Sequence, residues 1–480
     1  MNGATMTDLA LLVPEQILVA AALALILTAR RFQKAPWVAV PTYVGVLAAL
    51  AAAFAAVALA SPLSDLPKTG FGGMITLDGY SQFFKVLIAS ALALTALLAV
   101  RYIDAEGVRP AEFHALLLLA STGMMLAASA LDLLTLYLGL ELTTLCSYIL
   151  VGITVERPTS NEAAIKYFLL GSFASALLLY GIALAYGVTG ATNLVGIASA
   201  ISENGLGSNK VLLAGIGLLA AGLAFKIAAA PFHAWAPDAY QGASAPVAAF
   251  LAAASKAAGL AALGRVCLVA FASHARVLSF VLVGLAALSI ILGSIIALSQ
   301  ADMKRLLAYS SIAHAGYALL GFISGTPEGA SATMTYAFLY VFMTLGAFGV
   351  VIALGERGES LDGYRGLAAQ RPGTAALMLL FLLSLTGIPP TAGFAAKFVV
   401  ILSAIRAGHL ALAVLAVVCS VISAFVYLRV AVLMYMEGPR EPEPSRSPSA
   451  VSAALAVAAL VTLIGGIVPG SLTPWAMAPG

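Results

Sequence analysis

The sequence predicts an all-α protein that threads a membrane many times, and three observations carry that prediction. The chain of 480 residues is 62% hydrophobic and only 9% charged, whereas a soluble chain is nearer half apolar and a quarter charged. So little charge cannot coat even one soluble domain at this length. The apolar residues fall in runs of about 18 or more, long enough for spanning helices, and not in the short alternating segments of an outer-membrane barrel. The 44 glycines within Ala- and Leu-rich runs suit closely packed membrane helices. The net charge of +3 is dispersed among apolar runs, so it forms no basic face and gives no reason to expect nucleic acid as a partner.

Runs and breaks give about fourteen spans, near 9–29, 37–60, 80–100, 111–130, 132–152, 163–187, 211–236, 245–271, 277–299, 305–324, 330–354, 373–405, 409–436 and 450–470. The first run follows Asp8 and ends at Arg30-Arg31. A cleaved signal peptide carries its positive charge on the other side, so this run is expected to stay as a helix. The connections are short. The longest are 188–210 and 437–449, the second charged and proline-rich, which reads as a stiff, solvated connector. Cys146, Cys267 and Cys419 lie far apart inside spans and form no metal or redox spacing, so they are expected to be inert core thiols.

An even number of spans puts both termini on one side. The loops facing the other side hold Arg30, Arg31, Lys34, Arg101, Arg109, Arg157, Lys304, Arg305, Arg357, Arg365, Arg371, Arg440 and Arg446, thirteen in all, against Lys68, Lys210, Arg276 and Arg406 on the terminal side. Positive residues accumulate in cytoplasmic loops, so the termini are expected on the periplasmic side.

The remaining basic residues lie in or near spans. Lys85 and Arg429 are expected to snorkel toward an interface. Lys256 lies roughly 16 Å into its helix and Glu141 roughly 14 Å into its own, near the middle of a hydrocarbon slab roughly 30 Å thick. Lys226 is five residues before Pro231, and Lys397 is seven after Pro390. Charges at such depth are costly and usually face a bundle interior or mark an ion path. Glu141 is expected to be the only deep acid. A structural ion pair is the competing reading for each of these charges, and it is strongest for Lys166, which has Glu162 one helical turn away. Arg265 is expected to be structural, because arginine does not release its proton. A lysine does: burial disfavours its charge and a nearby carboxylate restores it, so a Lys–Glu pair of changing separation can load and unload a proton.

Pro231 and the run Gly387-Ile388-Pro389-Pro390 interrupt spans seven and twelve. Prolines remove backbone donors in mid-helix, which is tolerable in a membrane where the chain faces a cavity or protein interior. Two interrupted spans in matching places are a mark of transporters built from internal repeats. Lys226 and Lys397 are 171 residues apart, or five spans, so a second copy would be inverted. The expected division is a three-helix segment at 1–110, five-helix repeats at 111–271 and 272–436, and a connector with a last helix at 437–480. His314, with Ser310, Ser311 and Tyr317 nearby, is either a bundle histidine or a relay member. His233 and Asp238 bracket the end of span seven and are expected at the cytoplasmic exit. Two ligands are too few for zinc, and no nucleotide, haem or iron–sulfur motif is present.

Four segments carry a resemblance: LYLGLELTTLCSYILVG around Glu141, AGLAFKIAAAPFHAWAPDAYQGA around Lys226, SQADMKRLLAYSSIAHAGYALLG from Ser299 to Gly321, and SLTGIPPTAGFAAKF before Lys397. The chain resembles the antiporter-like, proton-translocating membrane subunits of bacterial NADH:quinone oxidoreductase, respiratory complex I, over spans 2–13. The lysine at the twelfth span, the lack of a long extension after span fourteen and the GIPPTAGFAAK segment favour the subunit N branch. The resemblance implies that Glu141 pairs with Lys226, that Lys256 continues toward a central polar axis with His314, that Lys397 faces the outward half-channel, and that Lys166 is a second basic site near the glutamate. It also implies a bacterial inner membrane and partners that are other membrane-arm subunits, a sibling antiporter-like subunit and the small subunits among them. NADH, FMN, iron–sulfur clusters and quinone would belong to partner subunits, with no cofactor in this chain. A cation/proton antiporter subunit and a non-pumping structural subunit of a respiratory arm are the competing functions.

Overall fold

The structure, a computed structural model, describes residues 6–33, 37–60, 66–106, 108–438 and 448–468, without the side chains of residues 33, 38, 101 and 104–106. Lys34, Arg440, Arg446, the Arg101 side chain and most of the expected proline-rich connector lie outside the described residues.

The helices are α1 Val13–Thr28, α2 Val40–Leu59, α3 Gly79–Glu106, α4 Pro110–Ser129, α5 Leu133–Val151, α6 Pro158–Thr189, α7 Lys210–Lys226, α8 Trp235–Gly242, α9 Ala245–Ala270, α10 Ala275–Ala297, α11 Met303–Phe322, α12 Pro327–Leu354, α13 Pro372–Thr386, α14 Ala392–Arg406, α15 Leu410–Met436 and α16 Ser449–Ile467. A short helix at Met6–Ala10 precedes α1, and others at Leu194–Glu203 and Leu367–Gln370 lie between α6 and α7 and between α12 and α13. Among the described residues, eleven helices are long and apolar enough to cross a membrane. The three expected spans outside that number are α7, only 17 residues long, α11, which carries Lys304, Arg305 and His314, and the segment split into α13 and α14, 15 residues each. The protein is thus an all-α, multi-span membrane chain.

Local sequence sets the ends. Asp132 caps α5 by accepting from Leu134 N and Thr135 N at 2.8 and 3.2 Å, and Asp302 caps α11 through Arg305 N at 2.8 Å. Each satisfies backbone donors that would otherwise be orphaned. Prolines stand in the first turn of α4, α6, α12 and α13, where the missing N–H costs nothing. A hairpin that the sequence reading did not foresee pairs Lys68–Gly70 with Ile75–Leu77. It turns through Gly72 and Gly73, both at positive φ, a region open to glycine.

Helices α9 and α12 are almost wholly buried, whereas α1, α2, α6, α15 and α16 turn large apolar side chains such as Phe54, Phe173 and Phe425 outward. Small residues let the helices meet. A Cβ on Gly123 of α4 would stand 2.5 Å from the Gly139 carbonyl oxygen of α5, and one on Gly293 of α10 would stand 2.4 Å from Ala313 N of α11. Such backbone approach is how membrane helices gain packing energy without a hydrophobic driving force.

Several expected surface charges are inside. Lys85 does not snorkel: it is fully buried and pairs with Glu15 of α1 at 2.8 Å. Glu15, in the first turn of α1, and Asp78, just before α3, are further buried acids, both at helix ends. Both are already matched. Asp78 receives two bonds of 2.6 Å from the Arg265 guanidinium, the bidentate geometry that makes such pairs strong, and Arg265 also donates to the Ala128 carbonyl. Lys304, counted as a loop residue, is buried against Glu359 at 2.8 Å. Arg429 donates to the Leu298 and Gln300 carbonyls at 2.9 and 2.6 Å and so caps the C-terminal end of α10.

Candidate functional site: a buried line of lysines

Helix α7 stops at Lys226. Ala228 takes a positive φ of 54°, and the chain runs irregularly to α8. The groups freed there find partners inside the bundle: Ala230 N donates to Ser289 Oγ at 2.8 Å, and Trp235 Nε1 donates to the Phe225 carbonyl at 3.1 Å. Irregular backbone is thus satisfied by protein, as burial away from water demands. The Lys226 ammonium has three donors and three acceptors around it. These are Glu141 Oε1 at 3.0 Å, Thr144 Oγ1 at 2.7 Å and Ser175 Oγ at 3.4 Å. Ser175 also donates to Glu141 at 2.5 Å. Lys226 is buried and the Glu141 side chain is 20% exposed, so the pair has one edge open to the flank of α5.

Lys256 has no carboxylate among the described residues. Its ammonium donates to the carbonyl and hydroxyl of Ser311 at 2.5 and 2.7 Å. It directly follows a π-helical turn at Leu251–Ser255 within α9, a local widening that frequently marks functional sites. One turn beyond Ser311 on α11, His314 meets the Tyr336 hydroxyl through Nδ1 at 2.6 Å. It lies against the Leu385 carbonyl and within electrostatic reach of both Lys397 and Lys256.

The second break lies between α13 and α14. Lys397 donates to the Thr386 carbonyl at 2.8 Å and to Ser420 Oγ at 2.9 Å, and Ser420 donates to the same carbonyl at 3.0 Å. Its ammonium also stands 4.6 Å over the Tyr317 ring, within cation–π range. The orphan carbonyls at the end of α13 therefore face a lysine and a histidine, as the negative pole of a helix favours.

Lys166 is not beside Glu141. It is half-exposed and bridges Glu162 at 2.8 Å and Asp238 at 3.0 Å, nine residues or roughly 13 Å along α6 from Ser175. Asp238 also takes Arg305 at 2.7 Å. These residues, with Gln241, Asp302 and Glu359, line an open cavity of about 450 Å³. His233 is partly exposed, and its Nδ1 has no hydrogen-bond partner among the described residues. No group of three or more His, Cys, Asp or Glu side chains suited to a metal is found among the described residues.

Thr144, Ser175, Thr386 and Ser420 escaped the sequence reading. Thr144 alone had a signal, since it lies three residues after Glu141 and so on the same helical face. The others reach the lysines from helices whose neighbours no local pattern reveals.

Chemically the site offers four buried protonatable nitrogens, each held by hydroxyls or carbonyls of its own, with a carboxylate added at Lys226. Comparisons with known proteins identify the family. Residues 130–423, more than half of the chain, match the family described as NADH:quinone oxidoreductase/Mrp antiporter, TM. The NADH-quinone oxidoreductase subunit N of Desulfovibrio desulfuricans is 46% identical over 450 residues, covering 89% of each chain. A chain of respiratory complex I from Thermus thermophilus with bound aureothin superposes with a TM-score of 0.82 at 36% identity, covering 97% of this chain and all of that one. The fold is also that of a chain in the Mrp complex from Dietzia sp. DQ12-45-1b, with a TM-score of 0.85 at 23% identity over 98% and 96% of the two chains. The chain belongs to the NADH-quinone oxidoreductase subunit N family.

Proposed function

We propose that this chain carries protons outward across a bacterial inner membrane as an antiporter-like subunit of NADH:quinone oxidoreductase, driven by electron transfer in partner subunits that hold NADH, FMN, iron–sulfur clusters and quinone. The observation that carries the proposal is the Glu141–Lys226 pair at 3.0 Å at a helix break. The remaining buried bases, Lys256, His314 and Lys397, lie on hydroxyl- and carbonyl-rich helices beyond it. An opposite charge within roughly 4–6 Å governs whether a buried lysine keeps its proton. Withdrawing or restoring the Glu141 contact would thus switch Lys226 between holding and passing its proton.

In this reading about fourteen spans cross the membrane, α7 with α8 and α13 with α14 being the discontinuous seventh and twelfth. Spans 4–8 and 9–13 are inverted repeats. The caps support that reading: Asp132 and Asp302 each head the second helix of a repeat, and each forms an isolated bridge to a later loop, with Asn193 and Ser360. Half-channels then open at the seventh span to the cytoplasm and at the twelfth to the periplasm, where both termini lie. Offset half-channels avoid a continuous water wire, which would leak the gradient of about 2.3 kcal/mol per charge per 100 mV. Direct transfer needs about 2.6–3.2 Å between heavy atoms, so bound water completes the lateral steps. Lys166 serves the cytoplasmic mouth with Asp238. Sibling antiporter-like and small membrane-arm subunits are the partners.

A cation/proton antiporter subunit is the second reading, favoured by the family description, which also names the Mrp antiporter. It would want clustered carboxylates at the buried line, and the described residues place one there. The proposal is tested by Lys256→Ala and Lys397→Ala in fully assembled complex, with vesicle acidification and NADH oxidation followed together. Both variants lose coupled proton transport if the lateral route is right, and normal pumping in both overturns it.

A further inference from the structure

Beside the Arg157–Glu356 contact of 3.6 Å opens a cavity of about 230 Å³ that Glu359 and Ser244 also line. Ser244 stands at the start of α9 yet makes no capping bond, and its buried hydroxyl has no hydrogen-bond partner among the described residues. Inward from it, one face of α12 presents Thr344 and Tyr340 four residues apart, a rise of roughly 6 Å. Tyr240 of α8 packs beside that face, its ring 6.3 Å from Phe348.

The hydroxyls of Thr344, Tyr340 and Tyr240 are buried, and like Ser244 none closes a well-formed hydrogen bond. Both tyrosines nevertheless lie near the Ser311 hydroxyl, and Tyr340 near that of Thr344. Ser311 in turn holds the Lys256 ammonium at 2.7 Å, and the Tyr340 ring lies 5.1 Å from that of His314. Buried hydroxyls are nearly always bonded. Four that close no well-formed bond among the described residues, on a path between a mouth where Glu356 and Glu359 face Arg157 and Lys304 and a buried lysine, are the polar lining that ordered water needs.

We propose that this line is a second proton entrance from the face assigned to the cytoplasm, running from Glu356 and Glu359 through Ser244, Tyr240, Thr344 and Tyr340 to Lys256 and bypassing the Glu141–Lys226 pair. It rests on the proton-translocating role proposed above. A mouth carboxyl gives its proton to the first water and regains one from bulk. Each hydroxyl or water accepts a proton on its oxygen and releases its own onward, and a neutral Lys256 amine ends as ammonium. Phe348, one turn beyond Thr344 on α12 and packed on Tyr240, makes the narrow step where the water file is interrupted in this proposal. Lys256 is thereby reloaded while Lys226 still holds its proton against Glu141.

The test uses assembled complex in vesicles, with proton movement and NADH oxidation recorded together. Thr344→Val keeps the shape and removes the hydroxyl, Tyr240→Phe does the same, and Thr344→Ser restores a hydroxyl. The first two lower the rate of proton delivery about tenfold, less than the ~10²-fold of a wholly required proton-transfer group, and Thr344→Ser recovers it. Ser244→Cys reacts with a water-soluble thiol reagent added on the cytoplasmic face, against the silent background of the buried Cys146, Cys267 and Cys419. Normal pumping in Thr344→Val and Tyr240→Phe, failure of Thr344→Ser to recover, or an unreactive Ser244→Cys each overturns the entrance. Lys226→Ala separates the two claims: if it fails to pump while Thr344→Val and Tyr240→Phe pump normally, only the entrance falls. If it too pumps normally, the proposed function falls with it.

Discussion

Lys226 and Lys397 both sit beside a broken helix, but one ammonium meets a carboxylate and the other a backbone carbonyl. At the first break the Glu141 carboxylate stands 3.0 Å away, with Thr144 and Ser175 closing the shell. At the second, the Thr386 carbonyl, Ser420 and the Tyr317 ring surround the lysine. A full opposite charge can be withdrawn by moving one side chain. A helix pole of about half a charge is fixed in the backbone. The difference suggests a division of labour, with the first site switched by its partner and the second holding its proton by a constant, weaker field.

The largest expected effect breaks the first site outright. Lys226→Ala removes the proposed proton carrier, and coupled proton transport in assembled complex should fall by about 100-fold or more, as for other positioned proton-transfer groups. Quinone reduction should fall with it, measured as NADH oxidation in the same vesicles. Next comes Glu141→Gln, which keeps the shape and removes the charge. Removing one member of a buried pair costs about 3–5 kcal/mol if the other stays charged, so Lys226 will instead give up its proton more readily. Proton transport should drop less than in Lys226→Ala, because Thr144 and Ser175 remain, and an equal loss would show that the carboxylate is the carrier.

A smaller effect sharpens the contrast at the second site. Ser420→Ala deletes one hydrogen bond to a charged group, worth about 1.5–3 kcal/mol, and leaves the Thr386 carbonyl in place. Pumping should slow modestly, with no shift in the response to Glu141→Gln. Lys166→Ala should matter least for assembly, because bridges of a half-exposed side chain contribute roughly 0–1 kcal/mol. Loss of assembly measured on native gels would show that the Lys166–Asp238–Arg305 cluster holds helices together.

Much of this was legible in the chain because the membrane makes mistakes expensive. Long apolar runs marked the helices, and a lysine such as Lys226 amid them had no cheap explanation. What the sequence could not supply was which helix faces which. Lys85 looked able to snorkel because its partner, Glu15, is 70 residues earlier and in another helix. Lys304 looked like a loop charge because Glu359, 55 residues on, folds back over it. Lys166 was expected near Glu141, but roughly two turns of α6 carry it away to Asp238. The polar shells of the lysines hid for the same reason: serines and threonines are common in membrane helices, and only packing tells which ones meet an ammonium.

The most direct test of the account is Lys226→Arg in fully assembled complex. Arginine keeps the positive charge and can retain the Glu141 contact, but it does not release its proton. Vesicle acidification per NADH oxidised is the quantity to measure. If Lys226 passes protons, the variant assembles normally and its proton transport collapses to the level of Lys226→Ala. Acidification at the unmodified rate would mean that the residue serves as a fixed charge, and the account would be contradicted.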